Sequence, residues 1–340
     1  MEIGLFHSIQ WPKGSAQPDR YNQALYQAQF VEELGFDSVW FTEHHFSRHG
    51  IVSNSLAVLA NLAARTERIR LGTAVTVLPL HDPVRLAETV ATVDILSGGR
   101  LDLGIGSGYQ AGEFSGYGLD IADKHSRFDE SLEVLRRIWT EDQPFTHEGE
   151  HWRYLDCYPQ PRPMQQPHPP IWLATDGPQG MATCASNDWG VLLPQGASWS
   201  KVGEKVATYQ DALTQAGKSV DDGKLWLARG FYTAATTEKA RAEATGPYID
   251  FLTLAGQLAG PKGLPGAGGR TSSPDELDAK INDTAIFGSP EDCIESFIRA
   301  RELGVRRIML FVHMGQLQHQ QILDSLALFG KEVLPVVKDL

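Results

Sequence analysis

The sequence predicts an α/β protein folded as a (β/α)8 TIM barrel with insertions at the carboxyl-end rim. Strand-like and helix-like segments alternate from the first residue, which implies a parallel sheet with right-handed crossovers. The alternation runs through eight units, and that number favours a closed barrel over an open doubly wound sheet. A chain of 340 residues accommodates such a barrel as one domain spanning 1–340.

The units follow in order. Ile3–Phe6 is a strand, followed by a helix near Tyr21–Leu34 that stops at Gly35. Ser38–Phe41 reads as a buried strand from its β-branched and aromatic content, with a helix near Ser55–Ala64 after it. Ile69–Val77 precedes a helix over Pro83–Leu96, with proline well placed at the helix start. Leu101–Ile105 leads through a glycine-rich turn to a helix near Asp123–Trp139. Ile171–Ala174 precedes Gln179–Ser186, and Trp189–Leu193 precedes Val202–Ala216. Leu225–Thr233 precedes a helix from Thr237, and Arg307–Val312 precedes the last, near Gln316–Phe329. Two stretches break the rhythm. Residues 147–170 are rich in proline and aromatics and read as a rim insertion, and the glycine-rich 255–274 as a mobile lid.

Composition narrows the function. A net charge of −12 argues against nucleic acid or an anionic membrane as the main partner. No run approaches the ~20 apolar residues of a spanning helix, and no basic leader precedes the first strand. Cys157, Cys184 and Cys293 form no CxxC pair and read as free thiols, so a cytoplasmic location is expected.

The candidate chemistry gathers where strands end. Glu43-His44-His45 sits at the carboxyl end of Ser38–Phe41, the edge at which barrels place ligands. On extended chain the two imidazoles point to opposite faces, and no metal-type histidine spacing is present, so no metal is expected. An adjacent carboxylate raises imidazole basicity, so Glu43 and His44 are candidates for proton handling. Gly104-Ile105-Gly106-Ser107-Gly108 matches G-x-G-x-G, lies in the fourth unit and has no helix directly after it. It is either a tight rim turn or a wall for close backbone approach by a large flat ligand. Arg127, at a helix start, would suit an anion such as phosphate or pair with Asp123 or Glu130. Asp176-Gly177-Pro178-Gln179-Gly180 opens another helix, whose backbone N–H groups could form a second anion wall.

Together these segments resemble the bacterial luciferase-like flavin monooxygenases nearly end to end. The resemblance rests on Thr42-Glu43-His44-His45-Phe46, on Leu71–Pro79 (LGTAVTVLP) and on His81–Glu88 (HDPVRLAE). Asp94–Arg100 (DILSGGR) leading into Gly104–Gly108, and Phe287–Cys293 (FGSPEDC), fit the same pattern. It implies reduced FMN (FMNH2) bound at the carboxyl ends of the strands. His44 then assists formation or reaction of a flavin hydroperoxide, with Glu43 as its neighbour. Ala74-Val75 falls at a non-prolyl cis peptide under the flavin ring. Ser107, Tyr109, Arg127, Thr175, Asp176, Gly177 and Gln179 are the further implied cofactor contacts. Luciferase itself has a reactive cysteine where this chain has Gly106, and a phosphate-binding arginine where it has Ser107. Asp176 replaces a hydroxyl residue and would repel the phosphate unless it capped the helix with its side chain turned away, so that loop is expected to bind mainly through backbone N–H groups.

The expected reaction is oxygenation of a small organic substrate by molecular oxygen, with flavin reduced by a separate NAD(P)H–flavin reductase. A homodimer through helices after the early strands is implied as well. Strand-end position places Phe6, His7, Trp11, Tyr109 and Trp172 around the pocket. The competing readings are a deazaflavin-dependent oxidoreductase of the same fold, a non-catalytic flavin-binding protein and a metal-dependent barrel hydrolase.

Overall fold

Fully buried apolar strands alternate with half-buried helices, and that pattern closes the sheet on itself. The computed structural model describes residues 1–158, 160–259, 279 and 281–340. Its strands are β1 (Glu2–His7), β2 (Ser38–Phe41), β3 (Arg70–Thr73), β4 (Thr76–Val77), β5 (Leu101–Gly106) and β6 (Phe145–Glu148). Then follow β7 (Arg153–Cys157), β8 (Ile171–Ala174), β9 (Gly190–Leu193), β10 (Leu225–Thr233), β11 (Ala285–Gly288) and β12 (Arg307–Phe311). The parallel ladder runs β1-β2-β3-β5-β8-β9-β10-β12, and β12 returns to β1 with Ile3 opposite Ile308. The result is a closed (β/α)8 barrel, as expected.

Three details depart from the expected strands. The run 69–77 is split into β3 and β4 by a cis Ala74–Val75 peptide, and β4 pairs with β5. An unforeseen short strand, β11, pairs with the last four residues of β10. Residues 145–157 contain an antiparallel hairpin, β6–β7. The hairpin begins at Phe145, so the expected rim stretch starts inside it.

Helices cover the barrel. They are α1 (Gln17–Leu34), α2 (Ser55–Ala63), α3 (Pro83–Leu96), α4 (Ala111–Gly116), α5 (Lys124–Thr140) and α6 (Pro178–Asn187). Then come α7 (Trp199–Gln215), α8 (Thr237–Leu258), α9 (Pro290–Glu302), α10 (His319–Leu328) and α11 (Leu334–Lys338). Their ends follow from local chemistry. Gly35, at φ +92°, stops α1. Asp82 caps α3 by accepting from Arg85 N–H, and Ser289 caps α9 from Asp292 N–H. The expected lid falls in two parts. Ala255–Leu258 end α8, and 260–274 lie outside the described residues. Among the described residues no helix is long and apolar enough to cross a membrane.

The barrel floor is built from tryptophan and glycine. Trp40, Trp172 and Trp226 meet edge to face, with ring centroids 5.7–6.3 Å apart. Glycines on neighbouring strands make the room. A Cβ on Gly72 would sit 2.1 Å from Trp40 Cε3, and one on Gly190 1.9 Å from Trp172 Cε3. The indole N–H groups are satisfied from below: Trp172 donates to Asp102 Oδ1 at 3.1 Å and Trp40 to Ser38 Oγ at 2.8 Å. Aromatic pairs of this geometry add about 0.5–1.5 kcal/mol each beyond burial. A rigid floor therefore lies beneath the mouth, with Ala74 and Val75 packed on it.

Candidate active site

A cavity of about 410 Å³ opens at the carboxyl ends of the strands. On one side Ala74, Val75, Gly106, Ser107 and Gly108 form a low wall of small side chains. The wall cannot be thicker: a Cβ on Gly106 would stand 2.7 Å from Val75 Cγ2, and Gly108 holds φ +76°. Deeper residues include Phe6, Met309 and Phe311, whereas Phe251 and Leu252 come from α8.

His44 borders this cavity and is 8% exposed. Its Nδ1 lies 3.1 Å from Glu113 Oε1, and the same oxygen accepts the His45 backbone N–H at 3.0 Å. The Gln110 amide stands 3.0 Å from the same imidazole nitrogen, and beside an Nδ1–H it presents its oxygen as a second acceptor. A carboxylate can only accept, so the Glu113 contact assigns the hydrogen to Nδ1 and leaves Nε2 as the basic nitrogen. Among the described residues Nε2 has no hydrogen-bond partner. A proton could be taken up or released there.

Glu43 does not serve His44. Period-two alternation places Glu43 and His45 on one face of the extended chain and His44 on the other. His45 Nε2 donates to Glu43 Oε1 at 3.0 Å, and His81 Nε2 donates to both carboxylate oxygens at 2.8 and 3.0 Å. His45 Nδ1 is then free to accept from the Tyr117 hydroxyl at 3.0 Å. Burial works to raise the Glu43 pKa, but the hydrogen bonds from His45 and His81 outweigh it and hold it below the ordinary value. Burial likewise opposes the His81 cation, and Glu43 overrides it, so His81 titrates above its ordinary value. Glu43, whose orientation the sequence leaves open, turns to His45 and His81, and the carboxylate beside His44 is Glu113. Among the described residues no group of three or more His, Cys, Asp or Glu is arranged to hold a metal ion.

The expected cofactor contacts divide. Ala74, Val75, Ser107, Tyr109, Thr175 and Asp176 border the cavity. Gly177, Gln179 and Arg127 do not. Arg127 is half-buried at the rim, with Nε donating to Pro79 O at 3.0 Å and the guanidinium over Trp152. Its two Nη groups have no hydrogen-bond partner among the described residues. It pairs with neither Asp123 nor Glu130; Glu130 instead accepts from His147 and from the His151 and Trp152 N–H groups. Gly177 is the N-cap of α6 with no side-chain cap, so Asp176 does not play the expected capping part. Asp176 meets Lys205 instead, 3.1 Å from Oδ2, and the lysine also donates to the Asp176 carbonyl at 2.5 Å. That loop is therefore neutralised by a residue on α7 that no local motif announces.

Three expected pocket residues lie elsewhere. Trp172 belongs to the barrel floor. His7 faces outward from β1, fully buried against Phe41 and His313, and burial pushes its pKa down to about 3. Trp11 is held by its own loop, donating to Ser15 O beneath the Arg48 guanidinium. Glu113, Gln195 and His49 are among the residues unforeseen at the cavity. His49 stacks on Phe251 at 4.9 Å, and burial with nearby His44 lowers its pKa to about 3.

Comparison with known proteins gives a consistent picture. The sequence profile described as luciferase-like monooxygenase matches residues 1–307. The uncharacterised protein y4vJ of Sinorhizobium fredii is 36% identical over 214 residues, covering 62% of this chain and 60% of y4vJ. That match therefore spans less than two thirds of the relative's length. An FMNH2-dependent dimethylsulfone monooxygenase of Pseudomonas putida is 28% identical over 342 residues, covering 94% of this chain and 88% of its own. The crystal structure of monooxygenase RslO1 from Streptomyces bottropensis superposes with a TM-score of 0.86 at 27% identity, covering 98% and 99% of the two chains. An F420-dependent secondary alcohol dehydrogenase shares the fold at 20% identity, with a TM-score of 0.75 over 99% and 98%.

Proposed function

The chain belongs to the luciferase-like monooxygenase family, and from that premise we propose that it uses reduced FMN and molecular oxygen to oxygenate a small organic substrate. One observation carries the proposal. Among the described residues His44 Nε2 has no hydrogen-bond partner, Nδ1 is pinned by Glu113, and the cavity that His44 borders has one wall stripped of side-chain bulk.

The residues present fit a flavin. Ala74, Val75 and the 106–108 backbone leave room for a flat ring, and buried polar atoms of Thr42 and Gln195 at the wall lack partners among the described residues. When bound, the flavin would supply the oxygen-activating chemistry. The protein supplies the rest. The Arg127 Nη groups and the uncapped N-terminus of α6, with Thr175, Gly177 and Gln179, would hold the phosphate. Lys205 removes the repulsion that Asp176 would otherwise exert. Ser107 and Tyr109 would border the ring. Phe6, Phe251 and Phe311 exclude water from the reacting side. His44 Nε2 would hold or move a proton beside the reacting centre, with Glu113 fixing its tautomer. Glu43, tied to His45 and His81, would set the charge beneath that histidine without contacting it.

The relative described as FMNH2-dependent supports delivery of reduced flavin from a separate NAD(P)H–flavin reductase. A homodimer through α3 finds support in Ile95 and Leu96, which are 46% and 61% exposed. His44→Ala is the direct test. It should keep FMN affinity within about threefold and lose roughly 10²–10⁴ in oxygenation rate, the usual worth of positioned acid–base help. Full turnover in that variant would sink the assignment.

A further inference from the structure

The substrate side of the cavity specifies a charge class, an inference that rests on the flavin reading above. Away from the glycine wall the described lining is apolar, chiefly Phe6, Leu192, Phe251, Leu252, Met309 and Phe311. The rings interlock, with Phe251 and Phe311 centroids 4.5 Å apart and Phe6 5.5 Å from Phe311. Among the described residues no lysine or arginine borders the cavity.

Three carboxylates do border it, and each is already engaged. Glu43 accepts from His45 and His81. Glu113 accepts from His44 and the His45 N–H. Asp176 pairs with Lys205. The imidazoles add no free cation either: burial keeps His49 neutral down to about pH 3, and His44 Nδ1 faces Glu113. Among the described residues the wall offers no free cation, and each of its carboxylates already accepts from a protein donor. An anion entering it would lose water without gaining a cation, and an ammonium would have to displace the donors that already hold the carboxylates. An apolar body gains in proportion to the area it buries.

We propose that the substrate is an uncharged, predominantly apolar small molecule with at most a neutral polar group such as a carbonyl, ether or hydroxyl. Anionic sulfonates and carboxylates, and ammonium compounds, are rejected at binding. Ser8, Thr42 and Gln195, all at the wall, are among the neutral side chains available to such a group. The cavity of about 410 Å³ must also admit the flavin ring, so the substrate body is small.

The test compares four chains of equal length: 2-octanone, octanoate, octane-1-sulfonate and octylamine. Dissociation constants are measured by calorimetry on the protein with and without FMN, and FMN loading is followed separately by its fluorescence. The ketone should bind at least about tenfold more tightly than each charged chain, a preference of about 1.4 kcal/mol. A charged chain binding as tightly as the ketone overturns the proposal. If FMN fails to load, the flavin reading falls, and the comparison on the FMN-free protein still decides the charge class.

Discussion

Replacing Glu113 by glutamine tests how His44 is held. The side chain keeps its length, so Oε1 can still accept from His44 Nδ1 and from the His45 N–H, now 3.1 and 3.0 Å away. What disappears is the negative charge. Hydrogen bonds to charged groups contribute about 1.5–3 kcal/mol, against about 1 for neutral ones. Glutamine can also turn its amide nitrogen toward Nδ1, which would favour the wrong tautomer and put the hydrogen on Nε2. At 1.36 kcal/mol per decade, losing the charge alone, about 0.5–2 kcal/mol, slows oxygenation about 2- to 30-fold, and losing the whole interaction about 10- to 150-fold. Steady-state turnover with FMNH2 and oxygen reads the effect, with product and released hydrogen peroxide measured together. FMN affinity and thermal midpoint serve as controls, since Glu113 is not assigned to the cofactor. A Glu113→Gln enzyme within twofold of wild type would refute the argument that Glu113, and not Glu43, sets the state of His44.

Arg127→Ala should weaken FMN about tenfold or more while leaving riboflavin affinity unchanged, because only FMN carries the phosphate; parallel fluorescence titrations check it, and an equal loss for both ligands would place the arginine elsewhere. Acid should destabilise the fold before the carboxylates titrate. His7 and His49 have folded pKa values of about 3 against 6.5 unfolded, so below pH 6.5 the unfolded chain binds protons that the native state refuses. At pH 5 each costs about 2 kcal/mol of stability, and urea midpoints at pH 7.5 and 5 read the sum; an unchanged midpoint contradicts burial of neutral imidazoles. Gly72→Ala forces a methyl to within 2.1 Å of Trp40 and should cost about 1–3 kcal/mol by thermal unfolding, whereas wild-type stability would show that the tryptophan floor is loosely packed.

The barrel was legible because its strands are short apolar runs and its helices start and stop at recognisable caps, such as Asp82-Pro83 and Gly35. Strand β11 was hidden because Ala285–Gly288 is only four residues long and follows a glycine-rich stretch, although α9 follows it directly. At the site, period-two reasoning separated His44 from His45 correctly. The same rule carried one residue further puts Glu43 with His45, which is what the structure shows. The true partner, Glu113, lies 69 residues along the chain from His44. It arrives through the short helix α4 after the glycine turn, and only the closed barrel brings the two together. Lys205 beside Asp176 is the same kind of fact, set by the packing of α7 near the start of α6. The floor tryptophans misled in the opposite sense. Trp172 lies on a strand near the mouth, but its ring turns down among Trp40 and Trp226 because Gly190 leaves room for it.

The central claim is that this cavity couples reduced FMN to molecular oxygen. Single-turnover reaction of the protein with FMNH2, a neutral apolar substrate and 18O2 tests it most directly, with product mass as the readout. One labelled oxygen atom in the product, absent under argon and lost in His44→Ala, is the predicted result. Oxygen-independent reduction of the substrate by a reduced deazaflavin, with no label incorporated, would contradict it.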